Sequence, residues 1–253
     1  MQKHYILALH GFLGTGSDWN AVESALVRAL PASSNVHSQN EIEWIKPDLF
    51  SNEKSFLKEE DFSSFEKITH RIYDFLSSYE NIIFVGYSLG GRIGLHLLKE
   101  YPKKFKKFII VSAHPGLESE AEIKQRETQD LLWKNKLQNL SWNNFLEEWQ
   151  KQPVFAQDKD LKRNAEDFNR IKLELSLERL SLSQQGVMNK IIQKNQDKIQ
   201  WIVGDLDIKF KTLAEDMRQK KILSNYERIL NSGHRVIFDN PEELSRIILE
   251  TLD

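Results

Sequence analysis

Five residues constrain this chain more than any others: Gly86-Tyr87-Ser88-Leu89-Gly90, a G-x-S-x-G pattern. An unbroken apolar run over 82–85 precedes them, and a helix-period stretch over 89–100 follows. A strand that passes into a helix through so short a turn brings the two backbones almost into contact. Side chains two positions before and after the serine must therefore be small. The same turn lifts the hydroxyl above the sheet and sets it at a helix N-terminus, where free N–H groups favour negative charge. An apolar run without polar alternation has no solvent face, so the strand belongs in a parallel sheet covered on both sides.

The rest of the chain agrees with that requirement. Short β-branched or aromatic runs at 5–9, 108–112, 199–203 and, more weakly, 226–230 end in turn residues. Helix-period stretches lie at 18–30, 62–79 and 241–252. Pro241 followed by two glutamates suits a helix start, since proline fits the first turn and acids favour the positive dipole end. This alternation predicts an α/β fold with a mostly parallel, doubly wound sheet. The middle of the chain is different. Of 11 glycines only Gly186 lies between residues 117 and 203, and the only proline there is Pro153. We expect 117–195 to be an inserted helical cap over the carboxyl ends of the strands, with 1–116 and 196–253 forming the core.

A serine hydroxyl needs a base. An elbow of this kind predicts the chain order serine, acid, histidine. Of the 7 histidines only His234 lies beyond residue 114, in the turn Ser232-Gly233-His234. The acid should follow the preceding strand, where Gly204-Asp205-Leu206-Asp207 offers Asp207, with Asp205 as the alternative. The first strand ends in the glycine-rich His10-Gly11-Phe12-Leu13-Gly14-Thr15-Gly16. Its geometry and the elbow predict an oxyanion hole from the amides of Phe12 and Leu89. His10 is either a site residue or the organiser of that turn. The chain has no cysteine, which excludes disulfides, thiolate nucleophiles and cysteine metal sites. With 35 basic and 37 acidic residues there is no basic field for nucleic acid. No stretch is long and apolar enough to span a membrane, and the start does not read as a signal peptide, so a cytoplasmic protein is expected.

These residues resemble the α/β-hydrolase superfamily and, within it, the 2-succinyl-6-hydroxy-2,4-cyclohexadiene-1-carboxylate synthase family of menaquinone biosynthesis. The likeness runs through nearly the whole chain. Beyond the triad stretches it rests on Gly90-Gly91-Arg92, on His114-Pro115-Gly116-Leu117 and on Gln152-Pro153-Val154-Phe155-Ala156. One departure stands out. Many relatives carry Asp-Leu-Pro-Gly-His-Gly after the second strand, where this chain reads Pro47-Asp48-Leu49-Phe50-Ser51-Asn52-Glu53. That turn must be built differently, and 33–39 reads as extra loop.

The resemblance implies a lyase step in which pyruvate leaves a cyclohexene tricarboxylate, with Ser88, His234 and Asp207 acting as a base. It implies carboxylate contacts from Arg92, Arg126 and Arg170, and further substrate contacts from Tyr87, Trp149 and Gln185. Arginine suits this role because its planar fork binds a carboxylate at two points. Arg92, four residues past Ser88, also falls on the serine's helix face by spacing alone. The expected partner is a small polycarboxylate, with no cofactor and no metal; the sequence leaves the oligomeric state open. Two other readings use the same residues: a serine esterase or C–C hydrolase, and a non-catalytic binding protein.

Overall fold

The computed structural model describes residues 3–30, 42–53 and 55–252. The expected extra loop at 33–39 lies outside them. Among the described residues one sheet has six strands: β1 His4–Leu9, β2 Ile42–Ile45, β3 Ile82–Tyr87, β4 Phe105–Val111, β5 Ile199–Gly204 and β6 Glu227–Ile229. Their order is β2-β1-β3-β4-β5-β6, and every neighbouring pair is parallel. Parallel pairing needs long crossovers, and these are helical: α1 Asn20–Ala29, α2 Phe65–Phe75, α3 Leu89–Glu100, then four helices before β5. The four are α4 Glu120–Asn139, α5 Trp142–Gln150, α6 Arg170–Glu178 and α7 Asn189–Lys194. The chain closes with α8 Ile208–Gln219, the short α9 Val236–Asp239 and α10 Pro241–Glu250.

The apolar strands divide their side chains between two layers by simple alternation. Leu7, Leu9, Phe84, Phe108, Ile110, Trp201 and Val203 join the core on one face of the sheet. Ile6, Ala8, Ile83, Val85, Ile109, Val111 and Ile202 join the core on the other. All six residues of β3 are buried, as a central strand with two covered faces requires. Helix starts follow their caps: Ser64 accepts the Lys67 N–H and begins α2 later than its periodicity suggests. Helix α8 has no counterpart among the expected helices, because its lysine-rich sequence carries a weak apolar stripe.

The chain solves its unusual turn after β2 with a histidine. His10 is fully buried; its Nδ1–H donates to the Gly11 carbonyl at 2.8 Å, and its Nε2 accepts the Leu49 N–H at 2.9 Å. A carbonyl can only accept and an amide can only donate, so the ring is held in one neutral tautomer. Burial lowers its pKa in agreement. His10 is thus the organiser of the turn. Helix α6 is then bolted to this turn. The buried Lys172 ammonium donates to the carbonyls of Ser51 and Leu57, each at 2.7 Å, and Asn169 Nδ2 donates to Asn52 at 2.6 Å and Glu59 at 2.8 Å. A second tie joins Arg163 to Asp18 at 2.7 Å, with both side chains largely buried.

Candidate active site

The elbow is built as its spacing demands. Ser88 sits between β3 and α3 with φ 52 and ψ −110, a conformation that only glycine adopts without strain. Its N–H donates to the Val111 carbonyl at 2.9 Å, and its carbonyl accepts the Arg92 N–H at 3.0 Å, so both sides of the turn are fastened. A Cβ on Gly86 would lie 2.7 Å from the Gly90 carbonyl, and one on Gly90 would fall on the Leu9 carbonyl. These two glycines are steric requirements of the turn.

The Ser88 hydroxyl lies 3.3 Å from His234 Nε2, and His234 Nδ1 lies 2.7 Å from Asp207 Oδ2. A carboxylate accepts, so Nδ1 carries the proton and Nε2 is left to accept from the serine. Asp207 caps α8, its other oxygen accepting the Phe210 N–H at 3.2 Å. That bond fixes the carboxylate's direction. Asp205 points elsewhere: its Oδ1 accepts the Ser232 N–H at 3.2 Å and ties the two loops together. Tyr87, Phe155 and Phe210 surround the imidazole at centroid distances of 5.5, 5.8 and 4.7 Å. Burial holds the Tyr87 phenol well above its usual pKa, so it stays neutral.

Above the serine opens a cavity of about 280 Å³, lined by Phe12, Ser88, Leu89, Arg92, Arg126, Trp149 and His234 among others. Phe12 and Leu89 therefore flank the serine, and Leu89 opens α3, where helix N–H groups have no intrahelical partner. The Arg92 guanidinium donates to the Leu180 carbonyl at 2.8 Å and lies 5.6 Å from the Phe65 ring centroid. Burial, with Arg126 nearby, pushes its pKa down to about 9. Arg126 Nε donates to Asp130 at 2.7 Å. Trp149 packs on Phe12 at 4.6 Å and Trp133 at 4.9 Å, so it is cavity wall and packing residue at once.

Three expected contacts, Tyr87, Arg170 and Gln185, are absent from this lining; Tyr87 lies beside the His234 ring and lines a neighbouring cavity with Phe12 and Trp149. Arg170 is exposed, its guanidinium 3.4 Å from the Leu140 carbonyl, and it is absent from the lining. It opens α6, whose buried face is taken by Lys172 and Leu173, so the helix turns Arg170 outward. Gln185 is buried but also absent from the lining; its Nε2 donates to the His114 carbonyl at 2.8 Å and supports the loop beneath the cavity. In exchange the cavity gains Lys209, His114 and Asp130, which carried no role in the sequence reading. Lys209 had left a signal. It is a cation in the first turn of α8, at the wrong end of the dipole, and such a placement asks for an external reason. Among the described residues no three His, Asp or Glu side chains are placed to share a metal ion. No described helix is long and apolar enough to cross a membrane.

Curated relatives span nearly the whole chain. The 2-succinyl-6-hydroxy-2,4-cyclohexadiene-1-carboxylate synthase of Enterobacter sp. (strain 638) is 26% identical over 98% of this chain and 91% of its own length. Its namesake from Klebsiella pneumoniae (strain ATCC 700721 / MGH 78578) is 23% identical over 98% and 93%. The solved structure of MenH from S. aureus matches with a TM-score of 0.80 over 100% of this chain and 94% of that one, at 21% identity. The family model for the alpha/beta hydrolase fold matches residues 5–241, from the first strand through the elbow and His234 to the start of α10, and the chain belongs to that family.

Proposed function

We propose that this protein is a carbon–oxygen lyase that eliminates pyruvate from 2-succinyl-5-enolpyruvyl-6-hydroxy-3-cyclohexene-1-carboxylate to give 2-succinyl-6-hydroxy-2,4-cyclohexadiene-1-carboxylate. The observation that carries this reading is the charge of the cavity over Ser88. Arg92, Arg126 and Lys209 line it against a single lining carboxylate, Asp130. A substrate with three carboxylates needs fixed cations of this kind; a simple ester does not. The relatives named for this reaction support the same choice. In this reading 117–195 acts as a cap that brings Arg126 and Trp149 over the elbow.

The chemistry follows from the proton positions. His234 Nε2 takes the Ser88 proton as Oγ removes a proton from the substrate ring. The released C–H electron pair forms a double bond to the adjacent alkene carbon, the alkene's own π pair shifts one bond along the ring, and the C–O bond to the enolpyruvyl group breaks, which leaves the 2,4-diene. The leaving enolate takes up the proton returned from the His234 imidazolium and departs as pyruvate. Asp207 holds the imidazole in the accepting tautomer and stabilises the imidazolium. The amides of Phe12 and Leu89 stabilise charge developing on the succinyl carbonyl oxygen. No acyl-enzyme forms.

The test is pyruvate release from the enolpyruvyl substrate, followed through a lactate dehydrogenase couple, with Ser88→Ala as control. We expect turnover that falls by about 10³-fold or more in the variant. Hydrolysis of a p-nitrophenyl ester much faster than pyruvate release would replace this reading with the serine hydrolase one. A Ser88→Ala protein that keeps its cellular function would replace it with a binding role.

A further inference from the structure

The cavity contains one buried carboxylate that the elimination does not use. Asp130 is 4% exposed and faces a site that should receive anions. A carboxylate placed there repels the substrate unless it serves something else. Its contacts show what it serves. Asp130 Oδ2 accepts two short hydrogen bonds, from Arg126 Nε at 2.7 Å and from the Ser181 hydroxyl at 2.6 Å. Ser181 is 3% exposed and is itself pinned, accepting the Ser183 N–H at 3.0 Å.

The neighbouring residue completes the pattern. Leu180 offers its carbonyl to Arg92 Nη1 at 2.8 Å. Two consecutive residues, Leu180 and Ser181, thus hold the two arginines: Arg92 directly, and Arg126 through Asp130. Arg92 comes from α3 on the sheet, and Arg126 from α4. Two guanidinium groups side by side repel, and Arg126 is one of the causes that lower the Arg92 pKa, while Asp130 opposes that shift. Arg126 uses only Nε in this network. Among the described residues its two terminal nitrogens make no hydrogen bond, and its one ion-pair partner is Asp130.

We propose that Asp130 and Ser181 are positioning residues that hold Arg126 at a fixed spacing from Arg92, so that the pair forms a preset receptor for two carboxylates of one small substrate. Clamping Nε fixes the plane of the guanidinium and leaves its end free for a two-point contact with a carboxylate. Asp130 touches no substrate and acts through Arg126. The inference rests on the reading of the cavity as a polycarboxylate site.

The experiment is a double-mutant cycle on the full chain, read as kcat and KM for pyruvate release and, independently, as the affinity of citrate measured by calorimetry. For Asp130→Ala we expect KM and citrate Kd to rise about tenfold with kcat changed less than about threefold. Ser181→Ala should raise both by about threefold, in the same direction. In an Arg126→Ala background, Asp130→Ala should add less than about twofold, because its only route to the substrate is gone. A merely structural aspartate would instead add its full loss in both backgrounds. That result, or a KM and Kd within about twofold of the parent for both single variants, overturns the proposal. If Asp130→Ala does not fold, Asp130→Asn and Ser181→Ala carry the cycle under the same criteria. Citrate separates the two levels of the argument. A protein that binds citrate with the predicted dependence but releases no pyruvate refutes the lyase reading alone. One that neither binds citrate nor releases pyruvate refutes both.

Discussion

Asp207→Asn tests the site most directly, because its effect can be worked from two bonds. In the parent, one Asp207 oxygen accepts His234 Nδ1–H at 2.7 Å and the other accepts the Phe210 N–H at 3.2 Å. An asparagine has one oxygen and one NH₂ for these two donors. With its oxygen kept on Phe210, the NH₂ donates to Nδ1 and moves the ring proton to Nε2, so the base can no longer accept from Ser88. With its oxygen turned to the histidine, the NH₂ meets the Phe210 N–H and the α8 cap is lost, at about 1 kcal/mol or more. Either way the negative charge beside the developing imidazolium disappears. At about 4 Å between charge centres and an effective dielectric of ~20 that attraction is about 4 kcal/mol. The two effects together slow turnover by about 10⁴-fold. The matched control is Asp205→Asn, which keeps an acceptor for the Ser232 N–H and should leave kcat/KM within about threefold. The assay is pyruvate release with both purified variants, alongside thermal melts to show that both are folded. An Asp207→Asn protein within about tenfold of the parent, or an Asp205→Asn protein with the larger loss, refutes this assignment.

Three further outcomes are expected. Ser88→Gly removes the strain of φ 52 and should melt above Ser88→Ala by about 2–4 °C while both lack activity; equal or reversed melting temperatures contradict strain at the elbow. Arg92→Ala should raise KM by about tenfold or more, whereas Arg170→Ala, whose side chain is exposed and outside the cavity, should stay within about twofold; a larger loss from Arg170 would mean that it reaches the substrate. Burial pushes the pKa of His96 down to about 3 and that of His114 down to about 4. The unfolded chain therefore binds more protons as pH falls below about 6.5, and stability should drop from there to about pH 4 through His114 and to about pH 3 through His96. His96→Phe, stacked on Phe65 in place of the imidazole, should flatten this slope in urea melts across pH 7 to 5; an unchanged slope removes His96 from the account.

Much of this is legible in the chain itself, where local sterics leave few choices. The runs at 82–85 and 199–203 are strands because unbroken apolar residues of that length fit a sheet covered on both faces. The outer strands were harder. β2 is Ile-Glu-Trp-Ile at the sheet's edge, only partly buried, and β6 has three residues. Helix α8 is hard to read from its residues because its apolar stripe is thin, although Asp207 caps it. The arginines divide along the same line. Arg92 is four residues from Ser88 on one helix, so spacing alone locates it. Arg170 lies beyond several connections, and no local rule sets which way its helix faces; the Lys172 and Asn169 bonds to the turn after β2 do so.

The sequence by itself determined the elbow, the parallel sheet and the chain order of serine, acid and histidine. Those follow from steric limits and apolar periodicity within a few residues. The tertiary structure alone decided that Lys209 and not Arg170 lines the cavity, and that a buried aspartate, Asp130, joins Arg126 to Ser181, which lies 51 residues beyond that aspartate. Side-chain direction at a long separation depends on how whole helices dock. Docking is set by many weak contacts summed over distant parts of the chain, and no short stretch of residues records that sum.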